Sequence, residues 1–201
     1  EGVNNVNQNE YLENAKKEIR EYWFKNHVAK VTGEPGNQVI IWSKPGSFNY
    51  GTKFILSGNN VFISGDIGEA VYNLTCEATL DNLKDFDLSY FTGKLTAFCD
   101  QRWNFDSELA KTEIEEYFFE WMDVDHIDQL SEEENDLYEE LIDATNNWSR
   151  HDHFQMAVYS IYDNTPIDWF DGETASCIAS CGERLPLRLI AYWVGLKMIA
   201  E

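Results

Sequence analysis

The sequence predicts an α+β protein, with a small antiparallel sheet near the N-terminus covered by a mainly helical C-terminal half. Three observations carry that prediction. Between residues 33 and 75, short β-branched and aromatic runs alternate with Gly, Pro and Asn turns. Across residues 105–143, apolar residues recur at three- and four-residue steps, the period of an amphipathic helix. After Pro186 a further apolar stripe marks a terminal helix, with proline suited to its first turn.

A chain of 201 residues, 43% apolar and with seven Trp, can bury one substantial core and is not a disordered acidic tail. Only four prolines and no low-complexity run argue against a long linker. We expect one α+β domain over residues 1–201, with a possible subdivision into residues 1–100 (helix plus sheet) and 101–201 (acidic helices). No internal repeat is visible.

In chain order, residues 1–9 are polar and read as frayed. Residues 11–26 read as a helix with Tyr11, Leu12, Ala15, Ile19, Tyr22 and Trp23 inward. Its Lys16, Lys17, Arg20 and Lys25 make it the least acidic element, able to neutralise carboxylates elsewhere. Pro35 and its flanking glycines then introduce strands. Val39 to Trp42 is the first, stopped by Pro45-Gly46. A hairpin follows, with Phe54 and Leu56 on one side, Lys53 and Ile55 on the other, and Gly58-Asn59-Asn60 at its tip. Residues 65–68 make another turn, with Asp66 expected to accept from its own following amides. A strand over residues 70–75 completes a sheet of three or four. Residues 81–95 turn helical. Ser149 is expected to cap a helix running to about Tyr162, with Phe154, Ala157, Val158 and Ile161 inward. Residues 163–172 form a loop whose Trp169 and Phe170 lie on the body.

The most unusual stretch is residues 104–143, where sixteen Asp or Glu face one base, Lys111, a net of −15 out of −21 for the whole chain. Ala110, Ile114, Tyr117, Phe118, Trp121 and Met122 form the greasy side of a first helix. Ser131 and Glu134 form a capping box that opens a second, with Leu137, Tyr138, Leu141, Ile142 and Trp148 inward. Like charges at i,i+4, such as Asp136 with Glu140, cost a few tenths of a kcal/mol each, so stability alone does not select them. A solvated face kept acidic for solubility would account for them. The sharper reading aims them at something positive.

Other chemistry is thinly supported. Residues 65–68 lack the spacing of a phosphate-binding loop. Asp123, Asp125, His126 and Asp128 are oxygen-rich but fit no EF-hand. His151 and His153 would share a face on a strand and diverge on a helix, and a helix is favoured. No GxSxG elbow marks a nucleophile. Neither a catalytic residue, a cofactor nor a bound metal is therefore expected. Cys76, Cys99, Cys177 and Cys181 are widely spread and read as reduced and largely buried, as in an intracellular protein. No signal peptide is visible, and the apolar run near residues 185–199 is broken by Arg188 and Lys197, so no membrane span is expected. A net charge of −21 repels nucleic acid and anionic lipid.

Trp42-Ser43-Lys44-Pro45-Gly46-Ser47, followed by the hairpin and by Gly65-Asp66-Ile67-Gly68, resembles a group of small accessory proteins of bacteriophages and plasmids. They carry a W-x-x-P-G … G-D-(M/I)-G segment. The similarity covers about 35 residues, 39–74, with a weaker echo at residues 192–196. Its residues are structural, so no catalytic role carries over. The resemblance implies a mobile-element origin and a role in blunting host defence, such as CRISPR–Cas; the dense acidic segment departs from the group's pattern.

Together these readings lead to an expected function. The protein would be a phage-type inhibitor, acting in the host cytoplasm on a defence nuclease or nucleoprotein complex with a basic nucleic-acid channel. Glu113, Glu116, Glu120, Asp123, Glu132, Glu133, Asp136, Glu139 and Glu140 would occupy that channel, without the protein itself binding nucleic acid. One alternative is a small metal-dependent hydrolase or ligand-binding enzyme using Asp123, Asp125, Asp128 or the His151/His153 pair. Another is a scaffold or regulatory protein that binds through an apolar patch.

Overall fold

Turn chemistry organises the first half. The computed structural model describes residues 3–122, 124 and 126–201, with side chains from Asn9 onward. Helix α1 (Val3–Glu18) passes into a π turn at Ile19–Trp23. Six strands then form one antiparallel sheet in sequence order: β1 (Val28–Glu34), β2 (Asn37–Ser43), β3 (Thr52–Ser57), β4 (Asn60–Gly65), β5 (Ala70–Asn73) and β6 (Leu95–Phe98). Helices α2 (Leu80–Leu83) and α3 (Leu88–Gly93) lie between the last two. The hairpin forms as expected, but β3 and β4 pair Ser57 with Asn60, so its tip is the two residues Gly58-Asn59 rather than three, with Gly58 at a φ of 56°.

Period-two alternation builds the inner face of the sheet from Ile40, Trp42, Phe54, Leu56, Val61, Ile63, Ala70 and Tyr72, all buried. Helix α8 (Leu187–Ala200) covers it. Tyr192 donates its hydroxyl to Ile67 O at 3.0 Å, and its ring meets Phe98 edge-on. Gly195 permits the close approach, because a Cβ there would stand 3.2 Å from Phe24 and 3.4 Å from Phe54. The fold is therefore α+β, with an N-terminal antiparallel sheet and a largely helical C-terminal half.

The segment that carries the resemblance closes one end of this sheet. Asp66 accepts the backbone N–H of Tyr50 at 2.7 Å, tying the turn after β4 to the loop after Pro45-Gly46 rather than to its own following amides. A Cβ on Gly65, whose φ is 149°, would lie 2.3 Å from Gly51 O.

Several expectations need correction here. Strand β1 carries no sequence signal, because all seven of its residues are exposed on a sheet edge and no alternation is imposed. Residues 95–98, which begin where the stretch read as helical ends, complete the sheet, which has six strands rather than three or four. The first helix begins at Val3, and Tyr22 is 72% exposed. The π turn adds a residue per turn and rotates the phase, so Phe24 is buried instead.

Backbone contacts divide the chain into two compact units, Glu1–Arg102 with Pro186–Glu201, and Trp103–Leu185. The second contains α4 (Ser107–Met122), α5 (Glu132–Asn147), α6 (His151–Asn164) and α7 (Gly172–Ala179). A two-stranded ribbon of β7 (Asn104–Phe105) and β8 (Glu183–Arg184) joins its ends. Its core includes Ile114, Phe118, Leu141, Phe154, Val158, Phe170 and Ile178. The capping box of Ser131 and Glu134 forms as expected. Helix α6 starts one residue later than Ser149 would set, with Arg150 at the N-cap position. Helix α5 stops at Asn147, and Trp148, extended and out of helical phase, is 41% exposed rather than buried. All four cysteines are free; Cys181 is buried and Cys99 exposed, with Cys76 and Cys177 between, so the group is less buried than expected. Among the described residues no helix is long and apolar enough to cross a membrane.

Candidate functional site

Charge is partitioned between the two units. Trp103–Leu185 holds 22 carboxylates against three bases, a net of −19, whereas the remaining residues hold 14 against 12, a net of −2. Each of the three bases is already tied to a carboxylate. Lys111 pairs with Glu108 at 2.9 Å, Arg150 with Asp152 at 2.8 Å and Arg184 with Asp106 at 2.9 Å. In the other unit Lys16 pairs with Glu13 and Arg20 with Glu201.

The nine expected carboxylates fall into distinct environments. Glu113 is 7% exposed and accepts the backbone N–H of Gly182 at 2.7 Å. Burial raises its pKa, partly offset by that hydrogen bond. It is a structural group, and its expected display to a partner is corrected. The reason is helical phase: Glu113 lies beside Ala110, Ile114 and Tyr117, on the edge of the buried stripe that meets the chain after α7.

Glu116 and Glu120 follow Glu113 at steps of three and four, so they share that flank of α4. Glu116 is half-buried and Glu120 exposed. Burial first, then the nearby Glu113 carboxylate, push the Cys181 thiol up, with Glu116 contributing from the same side. The flank facing α5 carries Glu115 instead, which accepts the Tyr138 hydroxyl at 2.9 Å. Asp123 and Asp125 lie outside the described residues.

Helix α5 is different. Glu132, Glu133, Asp136, Glu139 and Glu140 are all exposed, and Asp143 joins them. At about 100° per residue they occupy an arc of about 120°, opposite buried Leu137, Leu141 and Thr145. The six charges span about 17 Å of helix axis, roughly one per 3 Å, close to the spacing of about 3.4 Å per charge along one strand of duplex DNA. Only Asn135, donating to Glu139 at 3.3 Å, touches one of them among the side-chain hydrogen bonds described. The expectation of one surface shared by two helices is thus corrected to a single acidic face on α5, because Glu116 and Glu120 lie on the other flank of α4 and Glu115, on the near flank, is tied to the Tyr138 hydroxyl.

Of the metal alternatives, the His151/His153 pair and Asp128 lie among the described residues. His151 is buried and His153 exposed, diverging as expected on a helix, and Asp128 and His126 are both exposed. Among the described residues no group of three or more His, Cys, Asp or Glu is placed to hold a metal ion.

Sequence reasoning missed a groove of about 900 Å³ between α5 and α6. Trp148 and Met156 flank it, and Met156 is 70% exposed. One signal was present: Met156 is an apolar residue off the inward stripe of α6.

Family models, curated proteins and solved structures were each searched with this chain, and none matches. The site therefore stands on its own geometry.

Proposed function

We propose that the protein inhibits a host nucleic-acid-targeting defence nuclease or nucleoprotein complex by laying the acidic face of α5 into a basic channel built for DNA or RNA. The observation that supports this most is the linear density of exposed carboxylate along one rigid helix, in a unit whose few bases are already engaged. A channel lined with Lys and Arg at phosphate spacing meets a comparable array, presented without the entropy cost of ordering a flexible tail. Long-range attraction speeds encounter, and direct ion pairs hold the pose. Glu132, Glu133, Asp136, Glu139 and Glu140 supply the contacts. The proposed site of action is the host cytoplasm.

The test is capture of partners from a host-cell lysate on the immobilised protein, with elution by salt and, separately, by sheared duplex DNA. Mimicry requires that both release the same proteins. Capture that survives 0.5 M salt and excess DNA, or that is unchanged when Glu132, Asp136, Glu139 and Glu140 are together replaced by Lys, overturns the reading.

A further inference from the structure

We infer that the groove between α5 and α6 is a docking site for a basic amphipathic helix of the partner, an assignment that deepens the electrostatic reading and rests on it. The floor of the groove includes Ala144 and Ala157, one from each wall helix, with Ile161 beside them. With one alanine contributed by each wall helix, small side chains at these two positions favour close approach of a third helix. Trp148, 41% exposed and packed edge-on against His153, and Met156, 70% exposed, also line it and leave apolar surface open to solvent. Methionine adapts its shape to different apolar partners, and such grooves recur where amphipathic helices are bound.

Charge decides the occupant. Glu140 and Asp143 stand on the α5 rim, no Lys or Arg lines the groove, and the carboxylates of the α5 face continue from that rim. An entering helix must therefore place apolar side chains at i, i+3, i+4 and i+7 on the floor and Lys or Arg on the flank nearest α5. Helix α6 has 14 residues, so an occupant of similar length, about 21 Å, matches the wall. A second copy of this chain is the weaker candidate, since it brings its own net charge of −21. Apolar seating would supply selectivity among basic partners that charge alone cannot.

The experiment uses three fluorescent peptides: an 18-residue leucine–lysine helix with one apolar face, a scrambled peptide of identical composition, and oligolysine of equal charge. Binding to the whole protein is followed by anisotropy at 0.05 and 0.3 M salt. The amphipathic helix should bind at least tenfold more tightly than its scramble, and retain more affinity at high salt than oligolysine. Ala157→Arg should weaken the amphipathic helix at least tenfold while changing oligolysine less than threefold. Met156→Gln, at an exposed position that does not threaten folding, should weaken it several-fold. Equal binding of helix and scramble, or indifference to both substitutions, overturns the groove assignment while leaving the electrostatic reading intact. Failure of every cationic peptide to bind at 0.05 M salt overturns both. Sedimentation completes the test: dimerisation abolished by Ala157→Arg would hand the groove to a second copy and sink the assignment.

Discussion

The carboxylate of Glu113 accepts the backbone N–H of Gly182 at 2.7 Å, joining α4 to the turn that follows α7 across 69 positions of sequence. The bond closes the acidic unit at the point where its chain returns to β8, and it withdraws one carboxylate from the surface. Glu113→Ala leaves that buried donor unpaired, so a loss of about 1–3 kcal/mol is expected. Glu113→Gln keeps the acceptor without the charge. Because burial raises the Glu113 pKa, the ionised form opposes folding, and that penalty is absent below the unfolded value and grows as pH rises through the folded one. The Gln variant should therefore equal or exceed the parent at pH 7 and lose the advantage near pH 4, as read by urea denaturation.

Gly182 has a φ of 75°, and a Cβ there would stand 2.7 Å from Asp106 O and 2.8 Å from the Ala110 Cβ. Gly58 has a φ of 56° with nothing within 4 Å. Gly58→Ala should cost only the left-handed backbone penalty, about 1–2 kcal/mol. Gly182→Ala should cost clearly more, because the clash is with backbone that cannot rotate away. Thermal melts of the two variants provide the comparison, and equal losses would contradict the packing described.

His27 is buried between Phe24 and Trp42, with ring centroids 5.2 and 5.6 Å away, and burial lowers its pKa. The unfolded chain takes up the proton near pH 6.5 whereas the folded one resists it, so stability is full above that value and falls as pH drops below it. The limiting slope for one such group is about 1.4 kcal/mol per pH unit. His27→Phe should flatten the dependence between pH 7.5 and 5.5. His151, buried and also shifted down, should leave a residual slope in that variant.

Asp136 and Glu140 lie one turn apart on the exposed side of α5 and repel. Asp136→Lys should stabilise the protein by a few tenths of a kcal/mol and, if α5 is the binding face, weaken partner binding. Raising salt from 0.1 to 1 M, which shortens the screening length from about 10 to about 3 Å, should stabilise the parent more than this variant. Improved stability together with improved binding would contradict the proposed use of these charges.

Parts of the fold were legible because they are local. The Gly58-Asn59 hairpin, the Ser131–Glu134 capping box and Pro186 ahead of α8 each depend on residues within a few positions of one another. The inward stripes of α4 and α5 were legible for the same reason, since helical period is written in spacing. Strand β1 was not, because an edge strand with every residue exposed obeys no burial pattern. Tyr22 was misplaced because a π turn shifts phase without a compositional mark.

By itself the sequence determined the fold class, the acidic stretch and the identity of its charges. Which carboxylates reach solvent together was decided only in three dimensions. Glu113 turns inward because a distant glycine offers an unpaired N–H, Glu116 and Glu120 take the flank of α4 away from α5, and α5 keeps the outward face. The groove beside it likewise depends on two alanines brought together from separate helices. Charge is additive along a chain, but direction belongs to packing, and packing joins residues that spacing cannot relate.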